Sequence, residues 1–243
     1  MADDFYKWFS ERRLTRAGQS RRQRIERSRL GLLARHCRQP GDLLEVGPGV
    51  GSLVDALTGM GFRYRAIEGS PTLAARLRER GVDVVEARVP PFPVPDACCE
   101  VLYADQVLEH MSGIDDARTF VSESFRVLKP DGVAFLVVPD YLKERGFFWD
   151  VDYTHNFVTT ERRMKQLLGD HGFRVERIVR SIGAATGVLR GVLAACSVLT
   201  MVPGLDAFSR VTRSEELLFR VRKNFFQTLT FVGRKPASPG CAR

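Results

Sequence analysis

The stretch Leu43-Leu44-Glu45-Val46-Gly47-Pro48-Gly49-Val50-Gly51-Ser52-Leu53 constrains this chain more than any other. An apolar run meets a carboxylate, three glycines stand at alternate positions, and Leu53, Val54 and Leu57 then resume at helical spacing. The pattern predicts a strand, a tight turn and a helix N-terminus. Glycine suits such a turn because it accepts positive φ and lets the backbone approach a ligand. The helix start would offer that ligand free N–H groups. The spacing is E-x-G-x-G-x-G, not the G-x-G-x-x-G of a dinucleotide fingerprint, and no Lys-Ser or Lys-Thr follows as a phosphate loop requires. A carboxylate at the strand end repels phosphate and suits an ammonium group.

Strand and helix patterns alternate from there. Strands are expected at Asp42–Val46, Arg63–Ile67, Val82–Glu86, Cys99–Tyr103, Val133–Val138, Phe173–Val179 and Phe225–Val232. Helical patterns follow the glycine turn and run over Leu73–Glu79, Ala117–Leu128 and Thr160–Leu168, with Pro71 placed where a helix begins. Pro90, Pro91 and Pro93 force a loop, and Lys129-Pro130-Asp131-Gly132 reads as a turn. Alternation of this kind predicts a doubly wound, mostly parallel seven-stranded α/β sheet flanked by helices, with ligands outside the carboxyl ends of the strands. Glu68 ends the second strand about 20 residues beyond the turn, where a carboxylate can accept both hydroxyls of a ribose.

These motifs resemble the class I, Rossmann-like S-adenosylmethionine-dependent methyltransferases. P-F-P, V-L-E-H, R-V-L-K-P-D-G and D-x-T-H followed by G-F look like the branch of ubiquinone-type and bacterial small-molecule methyltransferases, and the likeness covers roughly residues 43–180. The resemblance implies that Glu45 and the backbone of Gly47, Gly49 and Gly51 hold the amino acid end of S-adenosyl-L-methionine. It implies that Glu68 holds the ribose, that Glu86, Ala87 and Arg88 meet the adenine, and that Asp105 and Gln106 lie under the methionine. The family usually has aspartate in place of Glu86. Some relatives bind a divalent ion through E-x-x-E-H and a distant histidine; Gln106 replaces the first acid here, so no metal is expected.

Methyl transfer to a hydroxyl requires loss of its proton, and histidine is a natural base. Of His36, His110, His155 and His171, only His110 and His155 sit in loops expected at the carboxyl edge, and they are the candidate catalytic residues. The acceptor is expected to be a small molecule, a glycan or a lipid-linked precursor methylated at oxygen. The alternatives are an RNA methyltransferase or a regulatory protein that binds the cofactor without turnover.

The 243 residues carry a net charge of +8, unevenly spread. Between Glu11 and Arg38 stand Arg12, Arg13, Arg16, Arg21, Arg22, Arg24, Arg27, Arg29, Arg35 and Arg38 against Glu11 and Glu26. This predicts a basic helical extension over 1–40 that covers a sheet edge with Ile25, Leu32 and Leu33 turned inward. Nucleic acid or anionic lipid would also suit it, although no RNA-binding module or aromatic-interleaved basic patch accompanies it. The methyltransferase domain is expected over 41–235, with an apolar and basic helical insertion at 181–222 and a disordered tail at 236–243. From Ser181 to Leu205 the only charge is Arg190. That stretch is expected to form a lid, a contact in a homodimer, or a peripheral membrane contact. Cys37, Cys98, Cys99, Cys196 and Cys241 show neither a disulfide nor a zinc spacing. Without a secretory leader, cytoplasmic residence is expected, with peripheral contact at the inner face of the membrane as the variant.

Overall fold

β-branched and aliphatic runs too short for helices build one sheet of seven strands in the order β3-β2-β1-β4-β5-β7-β6. A computed structural model describes residues 15–37 and 39–237. The strands are β1 (Asp42–Val46), β2 (Arg63–Glu68), β3 (Asp83–Glu86), β4 (Cys99–Asp105), β5 (Leu128–Pro139), β6 (Arg174–Ile182) and β7 (Gln227–Arg234). The first five are parallel, and β7 runs antiparallel to both β5 and β6. Arg12, Arg13, Arg38, Cys241 and most of the expected tail lie outside the described residues.

Alternate residues of the central strands serve opposite layers, as the pleat requires. Leu44, Val46, Leu102, Ala104 and Leu136 pack with Phe120 and Val121 of the helix Ile114–Val127 on one face. Leu43, Tyr103 and Phe135 pack with Leu33, Leu53 and Leu57 on the other. Fully burying each such side chain contributes roughly 1.5–3 kcal/mol. Because β2 and β3 step away from β1 while β4 returns on its other side, the order reverses between β1 and β4. A parallel sheet opens a crevice at such a reversal.

Several boundaries differ from those expected. Lys129 to Gly132 is the start of β5 rather than a separate turn: Leu128 already pairs with Cys99, and the register shifts before Val133 joins Val101. The four residues bulge out of the ladder, with Asp131 at φ 64. Two short helices, Tyr141–Glu144 and Gly146–Val151, occupy a stretch with no assigned element in the sequence pattern. They are too short to show helical periodicity. The helix Arg16–His36 buries Leu33 as expected, while Ile25 and Leu32 are half-buried. Among the described residues no single helix is long and apolar enough to cross a membrane.

Pro139 pairs with Thr228, and Ile182 with Gln227. The segment between β6 and β7 therefore leaves and rejoins the sheet at the same carboxyl edge as the glycine turn. It forms the helices Gly187–Val198, Leu205–Val211 and Glu215–Asn224.

Candidate functional site

Val46 ends β1 and the chain turns at once. Gly47, Gly49 and Gly51 have φ of 68°, 59° and 68°, a region L-residues avoid. The Gly47 N–H donates to the Ile67 carbonyl at 2.8 Å, which ties the turn to β2. The helix that follows, Val54–Gly59, has only six residues, so the turn's own backbone rather than a long helix dipole shapes this edge. A Cβ at Gly51 would lie 2.6 Å from Leu77 Cδ2, and one at Gly47 would lie 2.8 Å from Val107 Cγ2. A Cβ at Gly49 would meet nothing within 4 Å. Gly49 thus faces open space. Gly51→Ala is expected to cost roughly 2–4 kcal/mol from clash and backbone strain together. Gly49→Ala should cost only about 1–2 kcal/mol yet obstruct a ligand, a contrast that thermal unfolding beside S-adenosylhomocysteine titration would read.

Glu68 closes β2 directly beneath this turn. One carboxylate oxygen accepts from the Gly49 N–H at 2.9 Å and the other from the Ser70 N–H at 2.9 Å. Two backbone donors orient the group, and a carboxylate oxygen can accept more than one hydrogen bond. Glu45 is buried and accepts from the Tyr64 hydroxyl at 2.6 Å. Burial pushes its carboxyl up to about 7, and the nearby charges of Asp105 and Glu68 push the same way. Asp105 accepts from the Tyr103 hydroxyl at 2.9 Å and lies 3.3 Å from Arg29 Nε. Three carboxylates therefore share the ends of β1, β2 and β4, an arrangement that suits a cationic ligand.

Gln106 is held at φ 59 with its N–H on the Val137 carbonyl at 2.9 Å. Its side-chain Nε2 is buried without a hydrogen-bond partner. A buried donor of that kind costs about 1–3 kcal/mol, which a bound acceptor would relieve. Together with the open space at Gly49, this orphaned amide fits the expected cofactor position.

The expected adenine contacts are gathered only in part. Glu86, the register partner of Glu68, is exposed, and its carboxylate pairs with Arg78 of the neighbouring helix at 3.1 Å. The Ala87 N–H donates to the Glu68 carbonyl at 3.0 Å, and Ala87 and Arg88 flank Gly69. What remains there for an adenine is the backbone and the stem of Arg88.

The two candidate histidines meet. Their ring centres lie 5.0 Å apart, although 45 positions separate them in the chain. His155 is buried, stacked 4.5 Å from the Phe148 ring, with Nδ1 2.7 Å from the Phe148 carbonyl. A carbonyl only accepts, so Nδ1 carries the proton and Nε2 keeps a lone pair. His110 Nδ1 lies 2.8 Å from the Thr154 hydroxyl, which itself donates to Asp152 at 2.6 Å. Burial lowers the pKa of both imidazoles, so both are neutral near pH 7. His36 and His171 are half-buried, and their rings bond the carbonyls of Leu32 and Leu167.

Glu109 stands beside them, fully buried, with neither carboxylate oxygen hydrogen-bonded; burial pushes its carboxyl well above the ordinary range. One ligand atom from each of Glu109, His110 and His155 falls within 4.8 Å of the others. The grouping is the Glu-His pair and distant histidine of the E-x-x-E-H pattern, without the first acid that Gln106 replaces. Two imidazoles and one carboxylate suit a borderline transition metal better than a hard cation.

Three further residues of the site escaped sequence reasoning. Tyr64 shares the face of β2 with Ala66, a parity that does not reveal its partner. Nothing in V-L-E-H shows that Glu109 turns inward. Arg29 could have been found: it lies four residues before Leu33, hence on the inward face of its helix. Its guanidinium reaches Thr230 at 2.7 Å as well as Asp105.

Known proteins resemble parts of this chain. Residues 44–136 match a family described as Methyltransferase domain. A curated protein of Mycolicibacterium smegmatis, named a probable S-adenosylmethionine-dependent methyltransferase, is 31% identical over 138 residues, 56% of this chain and 52% of that protein. The chain thus spans about half the length of the curated relatives it matches. Among solved structures, the [4+2]-cyclase SpnF superposes with a TM-score of 0.62 at 20% identity, over 87% of this chain and 81% of that one. Geranyl diphosphate C-methyltransferase from Streptomyces coelicolor gives 0.60 at 17% identity, over 88% and 80%. Likeness at that level shows the fold alone. Over residues 44–136 this chain matches the methyltransferase domain family, and the curated relatives that share this stretch are named as S-adenosylmethionine-dependent methyltransferases.

Proposed function

We propose that this chain binds S-adenosylmethionine across the ends of β1, β2 and β4 and transfers its methyl group to an oxygen of a small-molecule, glycan or lipid-linked acceptor. The observation that carries the reading is Glu68, pinned by the Gly49 and Ser70 N–H groups under a turn with open space above it. In this reading Glu68 takes the ribose hydroxyls, Glu45 and the turn face the ammonium end, and the orphaned Gln106 amide meets the methionine carboxylate. Bound S-adenosylmethionine would supply an electrophilic methyl on a sulfonium. His155 Nε2 is the base for the acceptor hydroxyl, and the His110 ring lies beside it. Choice of oxygen rests on these imidazoles, because the fold also serves a C-methyltransferase and a cyclase.

Titration with S-adenosylhomocysteine tests the cofactor reading, and mass spectrometry of extracts given methyl-labelled cofactor identifies the acceptor. Absence of binding would remove the enzyme and the sensor together; binding without any labelled product would favour the sensor. Label on RNA would favour the nucleic-acid alternative.

Glu45 adds a pH dependence with a definite sign. Its carboxyl is raised to about 7, so it stabilises the ligand-free fold fully below the ordinary carboxyl value and loses that contribution as pH rises through about 7. A cation beside it favours the ionised form. S-Adenosylmethionine affinity should therefore rise with pH up to about 7, with proton release on binding; Glu45→Gln should flatten both. Calorimetry in buffers of different ionisation enthalpy measures the released proton, and no release near pH 6 would reject this placement.

A further inference from the structure

The insertion between β6 and β7 is packed inside out. Its buried residues include Ser197, Thr200 and Ser209. Val188, Val198, Leu199, Phe208 and Val211 are exposed at 86%, 63%, 72%, 63% and 84%. The inward hydroxyls are satisfied locally: Ser197 donates to the Ala194 carbonyl, Thr200 to Ser197, and Ser209 to Asp206. Arg222 braces the assembly from within, donating to the Thr200 carbonyl at 2.8 Å and to Asp206 at 2.6 Å. A lid closing over a pocket would turn these apolar side chains inward. Here Arg222, and Phe219 and Phe226 packed on Phe147, hold the insertion from its inner side, while the five apolar side chains above face out, an exposed patch that marks an interaction surface.

Charge identifies the occupant. Arg210 and Arg213 are exposed beside the patch, while Asp206 and Glu216 are paired with Arg222 and Arg220. The basic helix lies against the same segment: Arg21 donates to the Asn224 carbonyl at 3.0 Å, and Arg21 and Ile25 flank Gly183. Arg16, Arg24 and Arg27 are exposed along that helix. In a two-fold contact with a second copy this positively charged face as a whole would be set against itself. An anionic headgroup layer complements them, and acyl chains receive the valines, leucines and phenylalanine. The helix Gly187–Val198 has 12 residues and the next bends from it by 60°, too short and too bent for a simple span but suited to lying in the interface.

We propose that residues 183–226, with the exposed arginines of the basic helix, form a peripheral docking surface for an anionic phospholipid bilayer. Both ends of the insertion sit at the carboxyl edge of the sheet, so docking turns the site toward the lipid. This deepens the methyl-transfer reading by favouring a lipid-borne acceptor, but the docking itself does not rest on that reading.

Flotation of the full chain with vesicles tests it, comparing pure phosphatidylcholine with phosphatidylcholine containing about one third phosphatidylglycerol. Wild type should float with the mixed vesicles, less at high salt, and hardly at all with the neutral ones. Arg210→Glu with Arg213→Glu should reduce partitioning at least 20-fold, since each arginine near an anionic surface is worth roughly five-fold. Leu199→Asp with Phe208→Asp should reduce it at least tenfold. All four positions are exposed and outside the cofactor site, so circular dichroism and S-adenosylhomocysteine affinity should not change. Wild type that stays unbound, or variants that float like wild type, would overturn the proposal. So would a lipid-free dimer that Leu199→Asp with Phe208→Asp converts to monomer while flotation is absent; that result gives the patch to a second copy. Cofactor titration is read separately, so failure of one reading leaves the other standing.

Discussion

Glu68→Gln is expected to weaken S-adenosylhomocysteine binding by roughly 100-fold, about 3 kcal/mol, because a charge-assisted hydrogen bond to each ribose hydroxyl contributes about 1.5–3 kcal/mol. The substitution keeps the size of the side chain and one acceptor oxygen. It sets an amide NH₂ against the Gly49 or the Ser70 N–H, each now 2.9 Å from a carboxylate oxygen. That mismatch destabilises the turn by about 1–3 kcal/mol, and thermal unfolding of the ligand-free variant measures it alone. Calorimetric titration well below the unfolding temperature then isolates the lost ligand contact. An unchanged dissociation constant would mean that the carboxylate serves only the turn.

His155→Asn is expected to slow turnover 100- to 10,000-fold, the usual worth of a positioned base, with cofactor affinity within about twofold. Asparagine is the informative choice, since its amide NH₂ can replace Nδ1 as donor to the Phe148 carbonyl while nothing replaces Nε2. Burial lowers the histidine pKa, so the acid limb of kcat should fall below the ordinary value of about 6.5, while Glu45 should appear in kcat/KM through cofactor binding. Unchanged turnover would reject the base. Turnover lost equally in wild type on chelation, and restored by zinc or manganese, would move the role of Glu109, His110 and His155 to metal binding.

Both experiments bear on positions the sequence singles out, yet they test contacts it does not contain. Strand, turn and helix around Gly47–Gly51 were legible because only glycine tolerates the repeated positive φ that the turn demands. Glu68 was legible from its distance beyond the turn, a length set by one helix and one strand. Position in a strand placed Glu86 near the edge but could not show that Arg78 pairs with its carboxylate. The Lys129–Gly132 bulge was read as a turn because its proline and glycine mimic one.

Charge reads less well in one dimension. A stripe of arginines looks uniform in the sequence, but Arg29 is almost wholly enclosed against Asp105 and the threonines of β7, whereas Arg24 and Arg27 are exposed. The insertion reads no better, since a nearly uncharged stretch does not show which of its side chains turn inward. Its helices turn serine and threonine inward.

The positions of the strands along the chain, the glycine turn and the acid at the end of β2 follow from the sequence alone, since local backbone preference and apolar periodicity act over neighbouring residues. Only the tertiary structure decided that Glu45, Glu68 and Asp105 crowd one edge, that His110 and His155 meet beside an unpaired Glu109, and that the basic helix lies against the apolar insertion. Those juxtapositions come from how strands register and which side chains desolvate together, and neither is written in spacing along the chain.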